Sequence, residues 1–369
     1  MDRDELAAWL RLLETPQVGR ESARKLLTAF GSPHAVLAAP IAARREVVSA
    51  ATATALAQAP DTVLALVDST VQWLASAAPD APRQVLTLGD PGYPTLLLET
   101  ADPPLLLYLQ GDSALLGTPS LAVVGSRNPT PQGKENARSF SSHLSQAGLT
   151  IVSGLALGID GAAHEGALSG SGRTVAVIGT GLDSMYPRRH LELARRISSE
   201  ALIISEYSLG TPPLPPNFPM RNRIIAGLTR GTLVVEAALQ SGSLITARLA
   251  SEAGRDVFAI PGSIHSPQSR GCHALIKQGA KLVDSAQDVL EELSWKVAGA
   301  PALEQPDPTA GENVDPLLVV MGFDPVNLDA LIARTGWPAQ LLNTRLLELE
   351  LAGDVARLPG QLFQRVSTG

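Results

Sequence analysis

The chain has 369 residues, 45% of them apolar, which is too long for one ordinary domain and ample for a buried core. It carries a formal charge of −7 and a single cysteine, Cys272, so an internal disulfide is excluded, and His273 as the only close metal-type neighbour makes no plausible zinc set. No run approaches the roughly 18 uninterrupted apolar residues of a membrane helix, so no membrane span is expected.

The N-terminal "MDRDELAAWLRLLETP" has acids where a secretory or transit signal would have only bases, and a cytoplasmic protein is the expectation. Residues 1–80 read as a helical module of the SAM or helix-hairpin-helix kind. Its "LLETPQVGRESARKLLTAFG" has a turn whose glycine could offer backbone N–H groups to a DNA phosphate, while a small bundle packed on its neighbour is an equally good account. From Gln84 to Asp112 the Pro-rich "QVLTLGDPGYPTLLLETADPPLLLYLQGD" reads as strands or edge coil leading into the main domain.

That domain, 84–298 with its lead-in, repeats apolar runs at "LAVVG", "TIVSGL", "TVAVIG", "ALIISE", "TLVVEAA", "DVFAIPG" and "AKLVD", mostly separated by segments of helical length. Near-continuous apolar strands alternating with helices predict an α/β fold, a doubly wound, Rossmann-like parallel sheet covered on both faces. Ser120–Asp284 has 16 Lys+Arg against 11 Asp+Glu, whereas the remainder has 13 against 25. A basic centre in an acidic protein is the coarse footprint of a polyanion site, although solvated surfaces also carry such an excess. Residues 299–314, polar and rich in Pro and Ala, read as a linker, and 315–369 as a winged-helix-like module of three helices and a hairpin. Its third helix, "PAQLLNTRLLELELAG", has one arginine and two glutamates, which speaks against major-groove reading and for packing or protein contact.

In a doubly wound sheet the ligand lies beyond the carboxyl ends of the strands. Those positions hold Gly125-Ser126-Arg127, Ser153-Gly154, Arg188 in "GTGLDSMYPRRH", Phe218, Arg221, Asn222 and Arg223 in "NFPMRNR", and Ser241-Gly242-Ser243 with Thr246. Small residues let backbone N–H groups approach phosphate, helix N-termini favour its charge, and arginine forks match its oxygens. Several such loops suit an extended anion. Phe218 beside arginines suits base stacking, with a buried loop anchor as the alternative. Catalytic readings are weaker. His164, four residues after Asp160, reads as a capping and packing pair, and Glu206 and Glu236 after their strands are expected to hold loop arginines.

The blocks "VVGSRNPTPQG", "IVSGLALGIDGAAHEGAL", "VAVIGTGLDSMYP", "FPMRNRIIAGL", "VVEAALQSGSLITARLASEAGRDVFAIPGS" and "GCHALIKQGAKLV" resemble, in order and spacing, the DNA-processing protein A (DprA/Smf) family. The resemblance implies a non-enzymatic, cofactor-free Rossmann-fold protein that binds single-stranded DNA, forms a homodimer and assists loading of the RecA recombinase in natural transformation. It implies a phosphate contact at Arg127 and stacking at Phe218, with Arg188 or Arg189 compensating for a family lysine that "PLPP" replaces. It also places Cys272, His273, Leu275 and Ile276 near a dimer seam. The rival is a nucleoside-monophosphate phosphoribohydrolase of the lysine-decarboxylase-like group, whose PGGxGTxxE block is replaced here by "EAALQSGSLITA".

Overall fold

The computed structural model describes residues 1–295 and 315–366, so the expected linker 299–314 lies outside the described residues. The first module is helical: α1 (Arg3–Glu14), α2 (Arg20–Phe30), α3 (Pro33–Ala38), α4 (Ile41–Arg45), α5 (Ala50–Ala55) and α6 (Thr62–Ala75). Asp2 caps α1 and Ser32 caps α3 with Pro33 in its first turn, while α2 stops at Gly31, whose φ of 86° suits glycine.

The central domain then runs β1 (Arg83–Thr87), α7 (Thr95–Leu98), β2 (Leu106–Gly111), β3 (Ser120–Val124), α8 (Pro131–Gln146), β4 (Thr150–Ser153), α9 (Ile159–Ala167), β5 (Thr174–Val177), α10 (Leu191–Glu200) and β6 (Leu202–Ser205). It continues through α11 (Asn217–Leu228), β7 (Gly231–Val234), α12 (Ser243–Glu252), β8 (Asp256–Ala259), α13 (Arg270–Lys277), β9 (Lys281–Leu282) and α14 (Ala286–Glu292). The nine strands lie in the order β1-β2-β6-β5-β4-β3-β7-β8-β9. Strands β3 to β9 pair in parallel and β1 and β2 antiparallel, which resolves the Pro-rich lead-in into a hairpin laid along β6. Every residue of β3 to β7 is buried, as the unbroken apolar runs require of a sheet covered on both faces. Chain order reverses at β3, with β4 on one side and β7 on the other, so the crevice for a ligand opens at the carboxyl ends of these strands.

The core on one face of the sheet is continuous with that of the helical module: Leu10, Leu26 and Val67 belong to the same cluster as Tyr108, Ile203 and Ile225. Trp73 of α6 meets Tyr108 of β2 edge-on at 5.9 Å, and Arg83 lies 5.0 Å over the Trp73 ring. The module is therefore packed into the main domain. Beyond the linker come α15 (Pro316–Met321), β10 (Val326–Asn327), α16 (Leu328–Thr335), α17 (Ala339–Ala352), β11 (Val355–Leu358) and β12 (Leu362–Arg365), the strands ordered β10-β12-β11. This is a winged helix with its own core around Leu331, Leu342 and Leu346.

On the opposite face, α8 and α9 approach so closely that a Cβ on Gly166 would stand 2.1 Å from the Arg138 carbonyl oxygen. Backbone cannot yield as a flexible side chain does. Gly166→Ala should therefore destabilise the protein by about 1–3 kcal/mol, read as a lower denaturation midpoint; an unchanged midpoint would mean that the helices separate without cost.

Candidate nucleic-acid interface

Loop β3–α8 and the start of α11 meet over the carboxyl ends of β3 to β5. Arg127 is exposed, and its Cζ lies 5.8 Å from the Phe218 ring centroid, within cation–π range. Phe218 is half-buried against Gly179, where a Cβ would come within 3.2 Å of its ring. Its other neighbour is Tyr186, 47% exposed, with centroids 5.6 Å apart and planes tilted by 43°. Tyr186, Phe218 and Arg127 thus form a continuous ledge of two aromatic rings ending in a guanidinium. Arg188 and Arg189 are exposed just past Tyr186, and among the described residues no carboxylate pairs with Arg127, Arg188 or Arg189. Sequence reasoning missed Tyr186; the available signal was an aromatic two residues ahead of a basic pair in a strand-end loop.

The ledge rests on buried polar groups. Arg221, 4% exposed, donates from Nη2 to the Gly154 carbonyl oxygen at 2.6 Å and from Nη1 to Asn222 Oδ1 at 3.3 Å. Its guanidinium lies where a side chain on residue 154 would have to be, so Gly154 is required for contact rather than for its dihedral angles. Burial brings the Arg221 guanidinium down to about 10, with Asp160 opposing the shift. Asp160 accepts from Gly154 N at 3.1 Å and Ala156 N at 3.3 Å; burial raises its carboxyl, against the pull of Arg221 and these two N–H groups. Asn222 donates to the Gly242 carbonyl oxygen at 3.3 Å and ties α11 to the start of α12.

Glu236, two residues past the end of β7, closes both ends of the Arg127 loop. Its carbonyl accepts from Ser126 N at 2.7 Å, and its carboxylate accepts from Thr130 N at 2.9 Å and Thr130 Oγ1 at 2.6 Å. The expectation that Glu236 holds an arginine is corrected: it caps a loop, because Thr130 also N-caps α8 and Gly133 leaves room for the carboxylate. Glu206 does hold arginines, Arg223 and Arg20.

The expected contact residues therefore divide. Gly125 and Ser126 shape the Arg127 loop, with Ser126 buried and its Oγ accepting from Asn128 N at 3.1 Å. Ser153 is fully buried and donates to the Val123 carbonyl oxygen at 2.7 Å, so its hydroxyl offers nothing to a ligand. Ser243 and Thr246 are buried in α12, while Ser241 and Gly242 remain partly exposed at its start. Arg223 turns to the central domain's own Asp102, at 2.8 Å, and Glu206, the carboxylates that also engage Arg20 of the helical module, and is not directed at the ledge. Cys272 is corrected as a seam residue: it is fully buried with Sγ 3.6 Å from the Val234 carbonyl oxygen, and burial pushes its thiol up to about 12. His273, Leu275 and Ile276 on the same helix are half-buried, Leu275 and Ile276 packing partly against the core, and the exposed edge strand β9 follows α13 in the chain. Among the described residues no His, Cys, Asp and Glu are grouped so as to hold a metal ion, and no helix is long and apolar enough to cross a membrane.

Asp160 and His164 do not form the expected capping pair. His164 Nδ1 lies 2.7 Å from Thr174 Oγ1, and burial brings the imidazole down to about 3. The folded state thus keeps His164 neutral while the unfolded chain takes up a proton below about pH 6.5, so its contribution to stability is complete above that pH and is lost as pH falls. The loss should reach at most about 1.4 kcal/mol per pH unit, and His164→Asn should remove that slope from the melting-versus-pH curve. Parallel curves for the two proteins between about pH 4 and 7 would show that the imidazole is protonated inside the fold.

Residues 84–294 match the sequence profile of the DNA recombination-mediator protein A family, residues 300–361 that of the DprA winged helix domain and residues 3–63 that of the DprA-like N-terminal HHH domain. The chain is 46% identical over 275 residues to Protein Smf of Escherichia coli, covering 73% of this chain and 74% of the relative. It is 53% identical over 206 residues to DNA processing protein DprA of Streptococcus pneumoniae, covering 56% and 73%. The crystal structure of the Streptococcus pneumoniae DprA aligns with a TM-score of 0.67 at 40% identity, covering 78% of this chain and 97% of that one. The structure of DNA processing protein A from Helicobacter pylori, which describes its single-stranded DNA binding mode, aligns with a TM-score of 0.53 at 33% identity, covering 57% and 96%. With all three of its modules matched in order and relatives aligned over most of their length, the chain belongs to the DNA recombination-mediator protein A (DprA) family.

Proposed function

We propose that this protein binds single-stranded DNA along the strand-end ledge, without catalysis, and hands the strand to RecA as a homodimer in the cytoplasm. The observation that carries this reading is the ledge of Tyr186, Phe218 and Arg127: two adjoining ring faces for bases and an unpaired guanidinium for the backbone. Stacking needs splayed bases, so a duplex, whose rings face one another, cannot use the rings as a single strand does. Every base has a ring face, which makes such a site tolerant of sequence. Exposed Arg188 and Arg189 extend the positive field past Tyr186, where a backbone running along the ledge would continue.

The non-catalytic reading is supported by the two glutamates that follow β6 and β7. Glu206 is engaged by arginines and Glu236 by Thr130, so both are committed to holding protein. Partnering of two copies through α13 is supported by half-buried Leu275 and Ile276, by Leu282 at 46% exposure on the edge strand, and by Ile264 at 74%. A two-residue edge strand with flanking apolar side chains is a surface that a second copy can cover.

Titration of a fluorescent oligonucleotide across a salt series tests the ledge. Arg127→Ala should weaken binding to all sequences alike and flatten the logarithmic salt dependence by about 0.7, one phosphate contact's worth for a single strand. Phe218→Ala should lose about 1–3 kcal/mol of affinity and leave the slope unchanged, because stacking displaces no counterions. Wild-type affinity in a normally melting Phe218→Ala protein would dismiss the ledge as the binding site. For the second surface, Leu275→Asp should convert dimer to monomer in light scattering, since it places an unpaired charge in an apolar contact; a persisting dimer would put the interface elsewhere.

A further inference from the structure

Helix α2 sends two arginines into the main domain rather than into solvent. Arg20 lies 3.0 Å from Asp102 and 3.7 Å from Glu206, and Arg24 bonds Asp102 and the Pro103 carbonyl oxygen, the latter at 3.4 Å. The same two carboxylates engage Arg223 of α11, whose Nε is 2.8 Å from Asp102 and whose Nη2 bonds Glu206. The side chains of Arg223 and Glu206 are 12% and 6% exposed, so water screens this part of the network little.

Two carboxylates are thus shared by three guanidiniums, two from the helical module and one from the helix that carries Phe218. The loop after β6 continues the connection. Tyr207 Oη donates to the Asn217 carbonyl oxygen at 3.2 Å, Ser208 Oγ donates to Glu14 of α1 at 2.5 Å, and Asn217 donates to the Gly179 carbonyl oxygen at 3.1 Å, beneath Phe218.

We propose that the N-terminal helical module is a positioning element for the stacking site: Arg20 and Arg24 hold Asp102 and Glu206, which through Arg223 fix the rotation of α11 and the placement of Phe218. The proposal rests on the single-strand reading and adds a role for a module that need not touch DNA. The turn preceding α2 is exposed at Gly19, yet Arg20, the base nearest that turn, is engaged inward. Without the two module arginines, Asp102 and Glu206 face Arg223 alone, and their mutual repulsion is no longer balanced. The helix then loses its fixed register against the β6 loop, and stacking weakens because ring overlap depends on offset and tilt.

The test is a double-mutant cycle in full-length protein with a fluorescent oligothymidine. Arg20→Ala with Arg24→Ala should reduce affinity by roughly three- to tenfold with the salt slope unchanged, and should cause no further loss in a Phe218→Ala background. Arg20→Lys with Arg24→Lys keeps the charge and loses the forks, and should fall between that variant and wild type. Wild-type affinity in the folded double alanine variant would overturn the proposal and leave the ledge reading intact. A lowered salt slope with a loss additive to that of Phe218→Ala would overturn it by showing that the module grips phosphate itself. If Phe218→Ala alone changes nothing, the ledge reading falls and this proposal with it. Should the double alanine variant fail to fold, Arg20→Gln, which leaves Arg24 on Asp102, makes the same comparison.

Discussion

The buried guanidinium of Arg221 sets the distance between α11 and the turn after β4, and the other groups at the strand ends are arranged around it. A cation 4% exposed is tolerable only where acceptors and counter-charge compensate it, and here the Gly154 carbonyl and Asn222 Oδ1 accept from it while the nearby carboxylate of Asp160 favours its charge. Each of these groups belongs to a different constraint. Asp160 opens α9 and gathers the N–H groups of Gly154 and Ala156, while Asn222 reaches the start of α12. Because α11 is locked from below in this way, Phe218 at its first turn has a defined seat over Gly179. A loop alone would leave an exposed ring free to rotate.

Two tiers of arginine follow from this arrangement. Arg221 and Arg223 are consumed in holding the protein together, whereas Arg127, Arg188 and Arg189 remain open to solvent. The distinction explains how a protein of net charge −7 can present a cationic strip: the local field at the ledge is set by exposed guanidiniums whose carboxylate neighbours are engaged elsewhere. Glu236 is the sharpest instance. It lies close behind Arg127 in space and is half-buried, yet its oxygens face Thr130, so it shapes the loop instead of neutralising the arginine.

Strands β3 to β7 were legible because both sheet faces are buried there and periodicity collapses into unbroken apolar runs, as in "LAVVG" and "ALIISE". Arg127 was legible for a related reason: a polar residue two positions beyond a buried strand must lie at the carboxyl edge. What linear order could not reveal was direction. Arg221 and Arg223 are two residues apart on one helix and point to different partners, one under Gly154 and the other to Asp102, which is 121 residues away in the chain. Ser153 and Cys272 resembled ligand and interface residues by position, but a strand-end serine can satisfy its hydroxyl on a neighbouring strand, and a helix residue facing the sheet is covered by it. Tyr186 escaped notice because its partner, Phe218, lies on a different element, the first turn of α11.

The winged helix bears on where the proposed DNA contact is made. Its third helix, α17, exposes Leu341, Leu347 and Leu351 at 49%, 56% and 81% and has a single arginine, Arg345, which is bound to Asp315 and Glu348. A major-groove reader needs forks and amides facing outward; α17 exposes the amides Gln340 and Asn343, but its one fork is engaged by carboxylates, and Glu348 and three leucines share its exposed surface. At the strand ends of the central domain, by contrast, Arg127, Arg188 and Arg189 are exposed and pair with no carboxylate among the described residues. The proposed stacking at that ledge, tolerant of sequence because every base has a ring face, would suit a protein that must accept whatever strand it is given.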